Sequence, residues 1–424
     1  MLLKNNKIFY GWYIVAAFLV IWLVYAGIAV YSFTAFIEPL SNLFGWNYTQ
    51  VTFASSLRAT SYVILMPIAG LVVDRWSARK LVLAGIICTS IGIFLLSWIN
   101  SLGQLYLCYI LMGIGGITCT ATIPVTVVGR WFRRKISFAT SIVMSASGFG
   151  GLLVPLVTRA IDTAGLHTAM LITGLSILVI ISPLSLIIRQ NPEQYGYLPD
   201  GDVNDNTVPG KGQDSTNSKD AGVGIKQALK SSSFWHITLA FMFLTFATVA
   251  VQVHTMPYLS TIGIDRTTSS FLASAMLISG IFGRLAFGWF GDKFDKRWIA
   301  ASGAILVGLG LLLFVYTTTD TTQFLIPAFI LCGLGWGGAI MHPVLLREYF
   351  GTGNLGAVIG FSISIITIAF VVSPPLISWI FERFGDYRIA WFILIGMVVL
   401  SVISQVTNPS SATGLKVSSS TDRT

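Results

Sequence analysis

Two arginines, Arg58 and Arg284, stand inside long apolar runs of the sequence. A charge in the interior of a membrane-length helix costs several kcal/mol, so each needs a physical reason. A guanidinium keeps its charge at any physiological pH, and its planar fork fits a carboxylate bidentately. The chemistry on offer is therefore capture of an organic anion. Arg284 lies eight residues before Asp292, about 12 Å deeper at about 1.5 Å per residue. Arg58 lies sixteen residues before Asp74, about 24 Å from that end by the same rise. At that depth Arg58 can guide anions inward, bind a second carboxylate, snorkel to the outer surface or pair with Glu38. His254, beside Pro257, is the remaining titratable group near the middle of a run; it fits a substrate contact, a proton carrier or plain packing. His236 and His342 lie near run ends and carry no assignment. Thr118, Thr120 and Thr122 cannot all share one helix face, and such hydroxyls commonly bond their own backbone.

The composition sets what must position these groups. Of 424 residues, 54% are hydrophobic and 10% charged, against about 25% charged in a soluble protein. The mean hydropathy of +0.77 and 41 glycines fit packed membrane helices in a lipid bilayer. Cys88, Cys108, Cys119 and Cys332 sit in apolar runs without metal-ligand spacing, so they read as packing residues. A hydrocarbon core of about 30 Å needs about 20 apolar residues per helix. Runs of that length occur at 10–34, 51–73, 81–99, 104–128, 136–160 and 168–189, and again at 234–260, 268–290, 298–317, 322–346, 355–380 and 387–406. The expectation is an all-α membrane protein of about twelve helices: a bundle over 1–189, a cytoplasmic linker over 190–233, a bundle over 234–406 and a tail over 407–424. The linker, rich in Ser, Asn, Asp and Lys, reads as mobile. The first run is too long for the core of a signal peptide and reads as a retained helix.

With both termini cytoplasmic, twenty basic residues fall in inner segments and four in outer loops. That satisfies the positive-inside rule for a multi-pass protein of the plasma or inner membrane. The formal charge of +9 is thereby topological, and no nucleic-acid partner follows from it.

The two sets of six repeat each other. Gly70-Leu-Val-Val-Asp74-Arg75 recurs as Gly288-Trp-Phe-Gly-Asp292-Lys293 at an offset of 218. Met112-Gly113-Ile-Gly115-Gly116 recurs as Cys332-Gly333-Leu-Gly335-Trp336 at 220, and Pro124 and Pro155 recur as Pro343 and Pro374 at 219. Parallel repeats of this size are the arrangement by which carriers alternate access around a midplane site. An Asp at such a loop can sit on the positive N-terminus of a facing helix, here the one beginning near Leu355, and latch the two halves together.

At these residues the chain resembles the major facilitator superfamily, whose loop signature G-x-x-x-D-R-x-G-x-R-K runs here through Gly70, Asp74, Arg75, Arg79 and Lys80, with Ser77 in place of the second Gly. The resemblance implies two pseudo-symmetric six-helix bundles and a conformational latch at Gly70, Asp74, Arg75, Gly288, Asp292 and Lys293. Tyr10-Gly11-Trp12, Tyr31-Ser32-Phe33, Pro39-Leu40, Phe44-Gly45-Trp46, Trp131-Phe132-Arg133-Arg134-Lys135, His254-x-x-Pro257 and Gly283-Arg284-x-x-x-Gly288 are similar to bacterial monocarboxylate and oxalate/formate-type carriers. That similarity implies that Arg284 holds the substrate carboxylate, and that Tyr31 and Trp336 line the cavity. Proton-coupled animal members carry a lysine in the first helix and an aspartate in the eighth; Val30 or Tyr31, and Ala273, stand there. The exchanger type has a second cation in helix 11, which the eleventh run lacks.

The leading expectation is a secondary carrier of a small organic anion, a monocarboxylate first, working by alternating access with a coupling proton or counter-anion. Dicarboxylate/monocarboxylate exchange and amphipath efflux stay open as alternatives, and a non-transporting receptor or sensor ranks below them. An enzyme is not expected: four scattered histidines, no H-E-x-x-H and no buried carboxylate give no nucleophile–base pair, metal cluster or cofactor site.

Overall fold

The computed structural model of the chain describes residues 9–120, 122–201, 224–318 and 321–408. The chain divides between Asp220 and Ala221 into two compact units. In the first, α1 (Tyr10–Tyr25) passes through a π-turn (Ala26–Tyr31) into α2 (Phe33–Phe44), followed by α3 (Tyr48–Arg75), α4 (Ala78–Leu96), α5 (Leu102–Cys119), α6 (Thr122–Trp131), α7 (Ile136–Gly150) and α8 (Val154–Ile187). In the second, a short α9 (Ile225–Lys230) leads to α10 (Ser232–Thr261), α11 (Arg266–Lys293), α12 (Lys296–Tyr316), α13 (Leu325–Trp336), α14 (Met341–Phe350), α15 (Leu355–Phe384) and α16 (Arg388–Thr407).

Eleven helical stretches of the described residues are long and apolar enough to span a bilayer, and one, Ile136–Ile187, is 52 residues long. At about 1.5 Å per residue it is more than twice as long as the core is thick. Gly165, at φ 81° and ψ 163°, breaks it into two passes, a backbone conformation that only glycine adopts without strain. Twelve membrane-length passes result among the described residues, as expected. The first crossing extends past 34 to Phe44 through Pro39 and stops at Gly45, a left-handed C-cap.

The sequence repeat is a repeat of packing. α3 and α11 are both 28 residues long, begin after Asn47 and Asp265, and end in an extended residue, Trp76 or Phe294. Within each unit the fourth crossing packs closely on the second and third. A Cβ on Gly115 would strike the carbonyl oxygen of Gly85, and one on Gly335 that of Gly303. A Cβ on Gly113 would press on Ser61, and one on Gly333 on Ser279. Small residues let backbones meet where lipid gives helices no hydrophobic reason to associate. Of the three threonines, Thr118 and Thr120 donate to their own helix at Gly115 and Ile117, 2.8 and 3.1 Å, and Thr122 reaches Met66 Sδ at 3.1 Å.

The segment between the bundles is less uniform than its composition suggests. Gln190 accepts from Ala78 N and donates to Val73 O, both at 3.1 Å, joining the end of α3 to the start of α4. The Arg189 guanidinium lies over the rings of Tyr10 and Tyr195 at 4.0 and 4.3 Å. One Asp200 carboxylate oxygen accepts from the backbone N–H groups of Arg133 and Arg134 at 3.0 and 2.7 Å. Residues 190–201 are thus fastened to the first unit, and α9 contacts α10 and α15 in the second. Residues 202–223 of the expected mobile linker, and 409–424 of the expected tail, lie outside the described residues.

Candidate functional site

In the second unit, α11 and α13 touch at the level of Arg284. A Cβ on Gly283 would strike the Leu334 backbone, and one on Gly337 would strike Gly283 and Arg284 N. That contact sets the half-buried Arg284 beside the half-buried Trp336, with Cζ 4.8 Å from the ring centroid. At that distance the ring quadrupole attracts the cation. Because Gly116 occupies the place of Trp336 in the first repeat, and Met66 that of Arg284, this pair exists in the second unit alone.

His254 is buried on α10, with Nε2 3.0 Å from the carbonyl oxygen of Pro374 and Nδ1 3.3 Å from the Tyr387 hydroxyl. A carbonyl only accepts, so Nε2 carries the proton and Nδ1 accepts from tyrosine. Both ring nitrogens are therefore engaged by the protein.

The first unit holds a constellation that the sequence shows only in part. Arg58 is 8% exposed. Its Nη1 donates to Ala29 O at 2.6 Å, while its buried Nε has no hydrogen-bond partner. Its electrostatic neighbours are the phenols of Tyr62, Tyr25 and Tyr109. The Tyr25 and Tyr62 hydroxyls share a hydrogen bond of 2.8 Å. Tyr25 Oη fits over Gly116, where a Cβ would overlap it. No ion pair of Arg58 occurs among the described residues; the side chain of Glu38, the partner considered from sequence, lies outside them. Tyr31, at the end of the π-turn, is 40% exposed. The tyrosines escaped the sequence reading because each is ordinary in an apolar helix. Glycine at 116, opposite a tryptophan in the repeat, was the available signal.

At the end of α3, Asp74 accepts from Arg130 Nη2 at 3.0 Å with both side chains at most 10% exposed, and Arg130 Nη1 reaches Asn191 Oδ1 at 3.4 Å. The repeat's Lys293 lies over Trp289, 3.5 Å from the ring centroid. Gly70 and Gly288 are buried, Arg75 is exposed and Asp292 is half-buried.

Twelve crossings in two repeated sets, with loop signatures at the same place in each, define a class. The Major Facilitator Superfamily profile matches residues 17–342 and 242–417, and the chain belongs to that family of membrane transporters. It is similar to monocarboxylate transporter 12 of Xenopus laevis, 27% identical over 381 residues, covering 87% of this chain and 82% of the relative. Human monocarboxylate transporter 2 is 24% identical over 395 residues, 89% of this chain and 81% of the relative. Among solved structures, the proton:xylose symporter XylE has a TM-score of 0.75 at 15% identity, covering 94% of this chain and 96% of that one. The Escherichia coli fucose:proton symporter FucP has a TM-score of 0.71 at 13% identity, covering 93% and 98%. At these identities the two structures share the fold alone.

Proposed function

We propose that the protein is a secondary carrier of a small monocarboxylate in a cell membrane, with Arg284 as the residue that binds the substrate carboxylate. The observation that carries this is the Arg284–Trp336 pair, a permanent cation held within an apolar crossing beside an indole ring. The similarity to monocarboxylate transporters across most of both chains supports the same substrate class. Neutralising Arg284 with substrate removes the charge that opposes movement of a loaded site, which couples binding to alternating access. The Asp74 and Asp292 loops act as the latch, with Arg130 orienting the Asp74 carboxylate. His254 supports the fold of α10 and takes no part in contacting substrate.

The protein has no catalytic role and needs no cofactor in this account, and both termini face the cytoplasm. Thermal unfolding of the purified protein against mono- and dicarboxylates tests the substrate class. Lactate-sized monocarboxylates raise the midpoint in the parent and not in Arg284→Ala. Stabilisation by dicarboxylates alone would transfer the protein to the exchanger class.

A further inference from the structure

The chain leaving the sixth crossing returns to the loop that carries Asp74. Only Trp76 and Ser77 separate the end of α3 from the start of α4. Such a link leaves last-turn carbonyls and first-turn N–H groups that no helix satisfies. Ser77, the N-cap of α4, makes no side-chain cap. Gln190, 112 residues further along the chain, takes its place: Oε1 accepts from Ala78 N and Nε2 donates to Val73 O, both at 3.1 Å. One carboxamide thus caps α4 and closes the end of α3 together. The next residue, Asn191, accepts at 3.4 Å from Arg130, which also donates to Asp74 at 3.0 Å. The two amides are themselves held. Trp131 Nε1 donates to Arg189 O at 2.9 Å, and Tyr10 donates to Ile187 O at 3.0 Å.

The second unit solves the same link differently. There Phe294 and Asp295 separate α11 from α12, and Asp295 caps α12 locally by accepting from Arg297 N at 2.9 Å. At the loop's offset of 218, Asn408 stands in the place of Gln190. It too returns to the link, but through its backbone carbonyl, which accepts from Arg297 Nη1 at 2.7 Å. Of the two links, the first is the one capped by a remote side chain.

We propose that Gln190 is a positioning residue for Asp74, clipping the ends of α3 and α4 while Asn191 aligns Arg130 on the carboxylate. This rests on the reading of Asp74 as a latch and is independent of the substrate assigned to Arg284. A latch must return to one geometry in every cycle, and its supporting hydrogen bonds decide how closely it does so. Without the clip, Ala78 N–H and Val73 O turn to water and the two-residue link is free to sample other conformations. Asp74 then keeps its ion pair and loses its place. Because neither amide belongs to the Arg284 site, the effect falls on the rate of the transport cycle and spares substrate affinity.

The test uses the purified full chain and Gln190→Met, which keeps the length of the side chain and loses both hydrogen bonds. Amide hydrogen exchange at Ala78 should quicken about threefold to tenfold, the range for one lost hydrogen bond. Unfolding midpoints of Gln190→Met, Asp74→Asn and the double variant should be non-additive, the double falling by less than the sum of the singles. Uptake of radiolabelled lactate into proteoliposomes should show the maximal rate reduced about threefold to tenfold at an unchanged KM. In the Asp74→Asn background the same substitution should change that rate less than about twofold. Should Gln190→Met fail to fold, Asn191→Ala carries the same midpoint cycle and uptake comparison. Unchanged exchange at Ala78 overturns the proposal, as do additive midpoints, a raised KM at an unchanged maximal rate, or a full loss of rate in the Asp74→Asn background. A parent that takes up no lactate removes the substrate reading instead, and the exchange and midpoint results then decide the role of Gln190.

Discussion

The guanidinium carbon of Arg284 lies 4.8 Å from the ring centroid of Trp336, and the two residues come from helices whose backbones touch at Gly283 and Gly337. With Arg284 as the proposed carboxylate ligand, the ring and the cation would act as one unit. A desolvated cation–π contact is worth about 1–2 kcal/mol. Trp336→Leu should therefore raise the KM for a monocarboxylate about fivefold to thirtyfold, and Trp336→Phe less. Initial-rate uptake into proteoliposomes measures both.

His254 is held at both nitrogens. Its replacement by Gln should keep transport within about twofold and leave the pH profile of uptake unmoved. His254→Leu strands the Tyr387 hydroxyl and one acceptor site on Pro374, at a cost of about 1–3 kcal/mol. A lowered thermal midpoint with a retained KM is the expected signature. A shifted pH profile in His254→Gln would assign this residue to proton transfer instead.

The glycine crossings make a steric prediction. Gly116→Ala places a methyl on the Tyr25 hydroxyl, an overpacking worth about 1–3 kcal/mol. Tyr25→Phe, which removes that oxygen, should recover part of the loss, so the double variant should be more stable than the sum of the single effects allows. A double-mutant cycle of unfolding midpoints measures the coupling.

Asp74 and Arg130 pair at 3.0 Å with little exposure. Removing one partner of a buried ion pair costs about 3–5 kcal/mol because the other is left uncompensated. Asp74→Asn should lower stability and transport rate with a smaller effect on KM. The double neutralisation, Asp74→Asn with Arg130→Gln, should regain stability and remain slow if Asp74 also serves as the latch. Uptake rates beside unfolding midpoints separate the two roles.

Much of the fold was legible in sequence because membrane helices are a matter of local composition. The twelve runs, the 218-residue offset and the loop aspartates follow from apolar length and self-comparison. The break at Gly165 fell in the gap left between two runs. What escaped depends on residues distant in the chain or on backbone detail. His254 meets Pro374 and Tyr387, 120 and 133 residues away. The π-turn at Ala26–Tyr31 lies within an unbroken apolar run with no proline or polar pair to mark it. The docking of residues 190–201 rests on one glutamine, one arginine and one aspartate amid loop-like composition. Arg58 and Arg284 are legible in the sequence, since charge is conspicuous in any apolar run. Which groups surround them required the packed structure.

The most direct measurement is uptake of a radiolabelled monocarboxylate, such as lactate, into proteoliposomes containing the purified protein, compared with Arg284→Ala and Arg284→Lys. Saturable uptake is expected from the parent, background uptake from Arg284→Ala, and partial recovery from Arg284→Lys with a raised KM, since lysine keeps the charge and loses the fork. Uptake by Arg284→Ala at the parent's rate and KM would contradict the role proposed for Arg284.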